Sequence, residues 1–249
     1  MEMRGLKVLF LLIFMIAATV SSYADEETPA KEKKLKDEFE FALINTTGNT
    51  EVTTLAAKNT LTYQFTEKWL GSWKIGALYN ESDNEVNAER YFTDLRLEYT
   101  ITDRFYTYGI GGWLKDRFSG YDGRYYVGPG VGYKFINGPK HFLAGETGAN
   151  YVYEELTDDS TDDFLEGRLF GKYEYAFTEK NKFSHSLEYL QGFDDANNYL
   201  INSETALIAA LNSYLALKLS YIINYNNQPS SDTPDRTDTI LGAPIIVNY

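Results

Sequence analysis

The chain has no cysteine, two histidines and six prolines in 249 residues, and its 23 basic residues are outnumbered by 36 acidic ones. Without cysteine there is no disulfide, no thiolate metal site and no lipid-modified N-terminal Cys. Two histidines leave little material for acid–base chemistry near neutral pH. A net charge of −13 argues against nucleic acid, whose phosphates would repel it. Long apolar runs are also missing beyond one at the N-terminus, so a membrane-spanning form of the remainder must be a closed barrel.

That one run fixes an expected compartment. Arg4 and Lys7 precede apolar residues 8–20, followed by Ser22-Tyr23-Ala24 and an acidic stretch from Asp25. This pattern predicts a signal peptide, residues 1–24, cleaved after Ala24, because the run is well short of the roughly 20 residues a spanning helix needs. Residues 25–36 (DEETPAKEKKLK) are polar and charge-mixed, and read as a flexible periplasmic tail.

What the chain has in abundance is tyrosine, 21 in all, and from Asp37 onward a period of two. Leu215, Leu217, Leu219, Tyr221, Ile223 and Tyr225 alternate with Ala216, Lys218, Ser220, Ile222 and Asn224. A strand places the first set on one face, whereas a helix would scatter it. A repeat organises the whole: Tyr63-Gln64-Phe65-Thr66-Glu67-Lys68 is echoed by Tyr99-Thr100-Ile101-Thr102-Asp103-Arg104, by Tyr133-Lys134-Phe135-Ile136-Asn137-Gly138 and by Tyr175-Ala176-Phe177-Thr178-Glu179-Lys180. A degenerate copy ends at Leu211-Asn212-Ser213. Each copy is an aromatic strand end running into a tight polar turn, one per pair of strands.

Twelve strands are expected near 37–47, 52–66, 70–81, 89–101, 105–117, 123–136, 141–155, 164–178, 182–193, 199–211, 214–227 and 238–249. Their even number, with tight turns alternating with longer acidic loops, predicts an all-β fold: a single 12-stranded antiparallel up-and-down transmembrane β-barrel over 37–249. Tyrosines then fall into two girdles at the strand ends, where a ring can meet acyl chains and wet headgroups together. The outer-membrane lipids and lipopolysaccharide are thus expected partners. The last strand, ending on Tyr249, has the look of a recognition segment for the outer-membrane assembly machinery, and Pro244 predicts a local irregularity in it.

Several segments resemble a known family. Gly48-Asn49-Thr50-Glu51-Val52-Thr53-Thr54-Leu55 resembles its opening, and Asp116-Arg117-Phe118-Ser119-Gly120-Tyr121-Asp122 its central block, followed by Gly128-Pro129-Gly130-Val131-Gly132-Tyr133. The family is that of salt-induced outer-membrane proteins, catalogued as domain of unknown function 481. The resemblance implies an outer-membrane barrel in a Gram-negative bacterium and brings no catalytic residues with it.

No enzyme site can be assembled. Outer-membrane hydrolases place His and Ser two residues apart on one face, whereas His185 is flanked by Ser184 and Ser186, which face the other way. No cofactor motif is present. By alternation, Lys58, Lys74, Arg90, Arg96, Lys115, Arg117, Arg124 and Lys134 form a basic lumen wall, and Glu146, Glu154, Glu166, Glu174, Glu188 and Glu204 an acidic one. Two functions fit: a narrow, wet pore for small polar solutes or ions, or a non-conducting barrel whose lumen charges pair into a lattice. The acidic rim offers a weak site for divalent cations at Asp158, Asp159, Asp162 and Asp163, with a plain solvated loop as the alternative.

Overall fold

The computed structural model describes residues 34–46, 52–82, 85–229 and 236–248. The expected signal peptide, most of the expected tail and Tyr249 lie outside the described residues. The strands are β1 (Leu35–Thr46), β2 (Val52–Gln64), β3 (Trp69–Ser82), β4 (Glu85–Thr100), β5 (Phe105–Asp116) and β6 (Tyr121–Asn137). They continue as β7 (His141–Leu156), β8 (Thr161–Ala176), β9 (Asn181–Gly192), β10 (Tyr199–Ala210), β11 (Leu215–Asn226), β12 (Thr237–Gly242) and β13 (Ile245–Asn248). Among the described residues a single 3₁₀ turn, η1 (Arg117–Ser119), interrupts the pattern.

Each strand from β1 to β11 pairs antiparallel with the next, and β13 pairs with both β11 and β1, which closes the sheet. β12 and β13 form one stave on the β11 side, since Leu217↔Ile245 and Ser220↔Gly242 keep the same register. The chain is therefore a closed twelve-stave barrel, with its last stave broken at Ala243-Pro244. Pro244 has no N–H to give; its carbonyl still accepts from the Lys218 N–H at 3.0 Å. β1 starts two residues before the expected barrel boundary, with Leu35 opposite Tyr63.

The repeat has a local physical cause. In three copies the threonine hydroxyl folds back on its own turn: Thr66 accepts from the Trp69 N–H at 3.1 Å, Thr102 from Phe105 at 3.0 Å and Thr178 from Asn181 at 3.0 Å. Asn212 does the same in the degenerate copy, accepting from Leu215 at 2.9 Å. These side chains mimic a backbone turn and pin the hairpin. The Tyr-x-Phe step before the turn puts both rings on the outer face, edge to face, with centroids 4.9 Å apart for Tyr63–Phe65 and Tyr175–Phe177 and 5.2 Å for Tyr133–Phe135. At the opposite strand ends Tyr189, Tyr199 and Tyr225 form a second row, with centroids 5.8 and 5.9 Å apart.

The two faces of the wall differ as lipid and lumen require. Leu95, Val127, Leu165, Leu169 and Leu241 point outward and are more than half exposed, while Glu166, Arg124 and Arg168 are buried inside. An exposed apolar face around a buried charged interior inverts the soluble pattern. It is the solution for a barrel surrounded by acyl chains.

Candidate functional site: the charged lumen

The lumen is organised around Glu146 on β7. Arg96, three strands away on β4, grips both carboxylate oxygens at 2.8 and 3.1 Å and also reaches Glu98 at 3.0 Å. Arg168 on β8 donates to Glu146 at 2.8 Å and to Glu188 at 2.7 Å, and the Tyr106 hydroxyl donates to Glu146 at 2.8 Å. Asn202 completes Glu188 at 3.1 Å. Guanidinium groups suit this role because their planar fork binds carboxylates two bonds at a time.

Space for this belt comes from glycine. Tyr106 and Tyr108 project inward from β5 and lie over Gly132 and Gly130 of β6, where a Cβ would fall inside the tyrosine rings. The Arg96 guanidinium stacks 4.0 Å from the Tyr108 ring centroid, and Arg168 donates to the Tyr108 hydroxyl at 2.8 Å. The alternating glycines thus make room for two aromatic rings that carry the ionic belt.

Two further ionic groups line the wall. Arg124 donates to Glu154 at 2.7 Å and also contacts Glu166, which takes a second bond from Asn150 at 3.2 Å. Glu40 lies between Lys58 at 2.5 Å and Lys218 at 2.9 Å, and Lys218 also meets Glu204 at 2.5 Å. Asp94 accepts from the Tyr126 hydroxyl.

Above the belt an outer cavity of about 570 Å³ reaches from Arg96, Glu146 and Arg168 up to Asp238 and Arg236. A second cavity, about 350 Å³, opens at the inner end between Lys180, Lys182, Glu38 and Ile246. The two share no lining residue. Tyr106, Ala206, Ala216 and Ile246, all less than 5% exposed, occupy the levels between or beside them.

The outer mouth is narrowed by the Asp116–Asp122 block. Asp116 caps η1 by accepting from the Ser119 N–H at 3.1 Å, and Gly120 takes φ 90°, a left-handed conformation that favours glycine. The turn reaches the far wall: the Ser119 hydroxyl meets Asp238 of β12 at 3.2 Å, and Asn226 of β11 donates to the Tyr121 hydroxyl at 3.3 Å. The block is a turn that leans across the mouth.

The expected walls are placed unevenly. Lys58, Lys74, Arg90, Arg96 and Arg124 line the outer cavity, as do Glu146, Glu166, Glu188 and Glu204. Lys134 sits lower, 5.6 Å from the Tyr106 ring centroid, and Glu174 pairs with Lys172 at 3.0 Å and Lys182 at 3.3 Å near the inner end. Lys115 and Arg117 are not on the lumen wall. Leu114 and Asp116 line the cavity, so Lys115 between them turns the other way, opposite Tyr91, where the β5–β6 register shifts; it pairs with Asp122 at 3.6 Å. Arg117 belongs to η1 at the rim and meets Glu89 at 3.3 Å. The expected separation into a basic and an acidic wall gives way to interleaving, since Glu40, Asp94 and Asp116 stand among the cations. Tyr106, Tyr108 and Tyr126 were not expected in the site, although the even parity of β5 carries the first two.

Asp158, Asp159, Asp162 and Asp163 do not converge. Asp158 accepts from the Ser160 N–H at 3.0 Å and Asp163 from the Tyr151 hydroxyl at 3.1 Å, and among the described residues no group of three or more His, Asp or Glu is placed to hold a metal ion. His185 contacts Thr205 at 2.9 Å and His141 contacts Tyr173 at 2.8 Å.

Residues 39–249 match the family described as “Protein of unknown function, DUF481”. The chain belongs to this family. A DUF481 relative, “Uncharacterized protein YdiY” of Escherichia coli (strain K12), is 31% identical over 224 residues, spanning 89% of this chain and 86% of the relative. Among solved structures the DUF481 barrel is similar to the NanC porin, with TM-score 0.50 and 8% identity over 86% of this chain and 97% of that one. It is also similar to an outer-membrane channel from Pseudomonas putida F1, with TM-score 0.50 and 10% identity over 90% of this chain and all of the other. At these identities the likeness is one of fold: a closed outer-membrane β-barrel.

Proposed function

We propose that the protein is a narrow outer-membrane pore for small ions and polar solutes, not an enzyme. The observation that carries this reading is the outer cavity, lined by charged side chains that remain in contact with water: Lys58, Arg90, Glu188 and Glu204 keep between 25% and 33% of their side-chain surface exposed. A lumen built only for stability gains nothing from charges, since packed apolar side chains do as well or better. Balanced, interleaved charge offers a path for ions of either sign with little selectivity. The similarity to porins and channels supports the reading at the level of fold. Export by the signal peptide, contact with lipopolysaccharide, and recognition of the strand ending at Tyr249 by the assembly machinery belong to the same proposal.

The second reading, a barrel that does not conduct, draws on one specific observation: the two cavities share no lining residue. Swelling of proteoliposomes in isotonic solutes of graded size separates the two. Entry of the smallest polar solutes with exclusion of disaccharides supports the narrow pore; no entry of any solute supports the closed barrel.

A further inference from the structure

The outer wall carries a groove. Gly145 of β7 and Gly171 of β8 stand opposite each other in register, and the same row continues to Tyr133 of β6 on one side and Leu187 of β9 on the other. Both glycines share the outward parity of Leu169, opposite to Glu146 and Arg168, which line the lumen. Leu169 and Tyr189 form the upper edge, and Phe105 of β5, opposite Tyr133, closes the low end. Together these residues border a space of about 560 Å³ on the bilayer side.

Nothing within the barrel itself asks for glycine at position 171. β8 keeps its register with β7 and with β9 through this point, so no bulge is present. Among the described residues the glycine with positive φ is Gly120, not Gly171. A Cβ added to Gly171 would meet no atom within 4 Å, and one added to Gly145 would meet the outward Phe135 ring at 3.0 Å. Glycine weakens a strand interior, and where no bulge or bend explains it, it marks close approach by a ligand or another backbone. The space above these two glycines faces acyl chains, so its occupant comes from the membrane.

The two ends of the groove differ in charge. The row crosses tilted strands, so it climbs obliquely from the inner aromatic row at Phe105 toward Tyr189 of the outer row. Arg104 directly precedes Phe105, and its carbonyl accepts from the Lys134 N–H at 2.9 Å, which sets it against β6 at the low end. The turns before β5 and β7 hold Arg104 and Lys140 against one acid, Asp103. At the outer ends of β7 and β8, residues 154–163 hold six acids and no base. An anionic headgroup is therefore attracted at the inner end and repelled at the outer one. We propose that the groove from Phe105 to Leu187 binds one acyl chain of an anionic glycerophospholipid of the inner leaflet, with its phosphate at Arg104. A second copy of the barrel fits less well, since two-fold pairing would set groove against groove.

The test is photolabelling of the full barrel in nanodiscs, with phosphatidylglycerol or phosphatidylcholine carrying the same diazirine-bearing acyl chain. Phosphatidylglycerol is expected to label Gly145, Gly171 and Leu187 severalfold above other lipid-facing positions such as Leu95, and severalfold above phosphatidylcholine at the same residues. Gly171→Leu fills the floor of the groove and removes that excess. Arg104→Gln changes an exposed turn outside the sheet and brings phosphatidylglycerol down to the level of phosphatidylcholine. Labelling spread evenly around the wall, or equal labelling by the two lipids in the native chain, overturns the proposal. A dimer in native mass spectrometry that Gly171→Leu converts to monomer would assign the groove to a second copy, and overturns it as well. Neither readout depends on conductance, so groove and pore stand or fall separately.

Discussion

Arg96 of β4 holds both oxygens of Glu146 of β7, spanning three strands in a chord across the lumen. Arg168 shares that carboxylate and also binds Glu188 and Tyr108. Replacing either arginine should destabilise the barrel, but unequally. Arg96→Ala leaves Glu146 with Arg168 and Tyr106 and should cost about 2 kcal/mol, in the range of bonds to charged groups. Arg168→Ala strands a buried portion of two carboxylates and should cost about 3–5 kcal/mol. Urea unfolding in lipid vesicles measures both.

Gly132→Ala should destabilise by about 1–3 kcal/mol, because the new Cβ collides with the Tyr106 ring. Combining it with Tyr106→Ala should cost less than the sum of the single changes, since the ring that causes the clash is gone. Additive costs in the same unfolding assay would mean that the glycine serves some other purpose.

Much of this was legible in the residues, for identifiable reasons. Strand alternation, the tight turns at Thr66, Thr102 and Thr178, and the break at Pro244 all arise from local chemistry between residues close in sequence. The family block was visible as a motif, yet its role needed Ser119 and Asp238, 119 residues apart, to meet. Lys115 and Arg117 are odd positions, whereas Ile110, Leu114 and Asp116 carry the inward face of β5, so their charge suggests a place in the lumen that the alternation of their own strand denies. The chord from Arg96 to Glu146 depends on which strands face each other across a closed barrel, which alternation along one strand cannot show.

Gly120 should resist substitution. Its φ of 90° strains any residue with a side chain, so Gly120→Ala should cost about 1–2 kcal/mol and loosen η1. Hydrogen exchange at the Ser119 amide, which donates to Asp116, reports the loosening directly.

Acid should loosen the outer loops at Asp195. Its carboxylate is held below the usual range, first by the Asn197 N–H and then by the Gln228 side-chain amide, which ties the β9–β10 loop to the β11–β12 loop. A lowered folded value means that the contribution is fully present above the unfolded carboxylate range, about pH 4, and is lost as pH falls through the folded value. An NMR titration of Asp195 should show its pKa rise toward the ordinary range in Gln228→Ala. An unchanged titration would sever the two loops.

The central claim is that the belt around Glu146 narrows a lumen that still conducts. Single-channel recording of the purified barrel in planar bilayers, beside Arg168→Ala, tests it most directly. The account predicts small steps for the native chain, scaling with salt concentration, and larger steps once Arg168 is removed from the belt. Silence at every salt concentration, in both proteins, would contradict it.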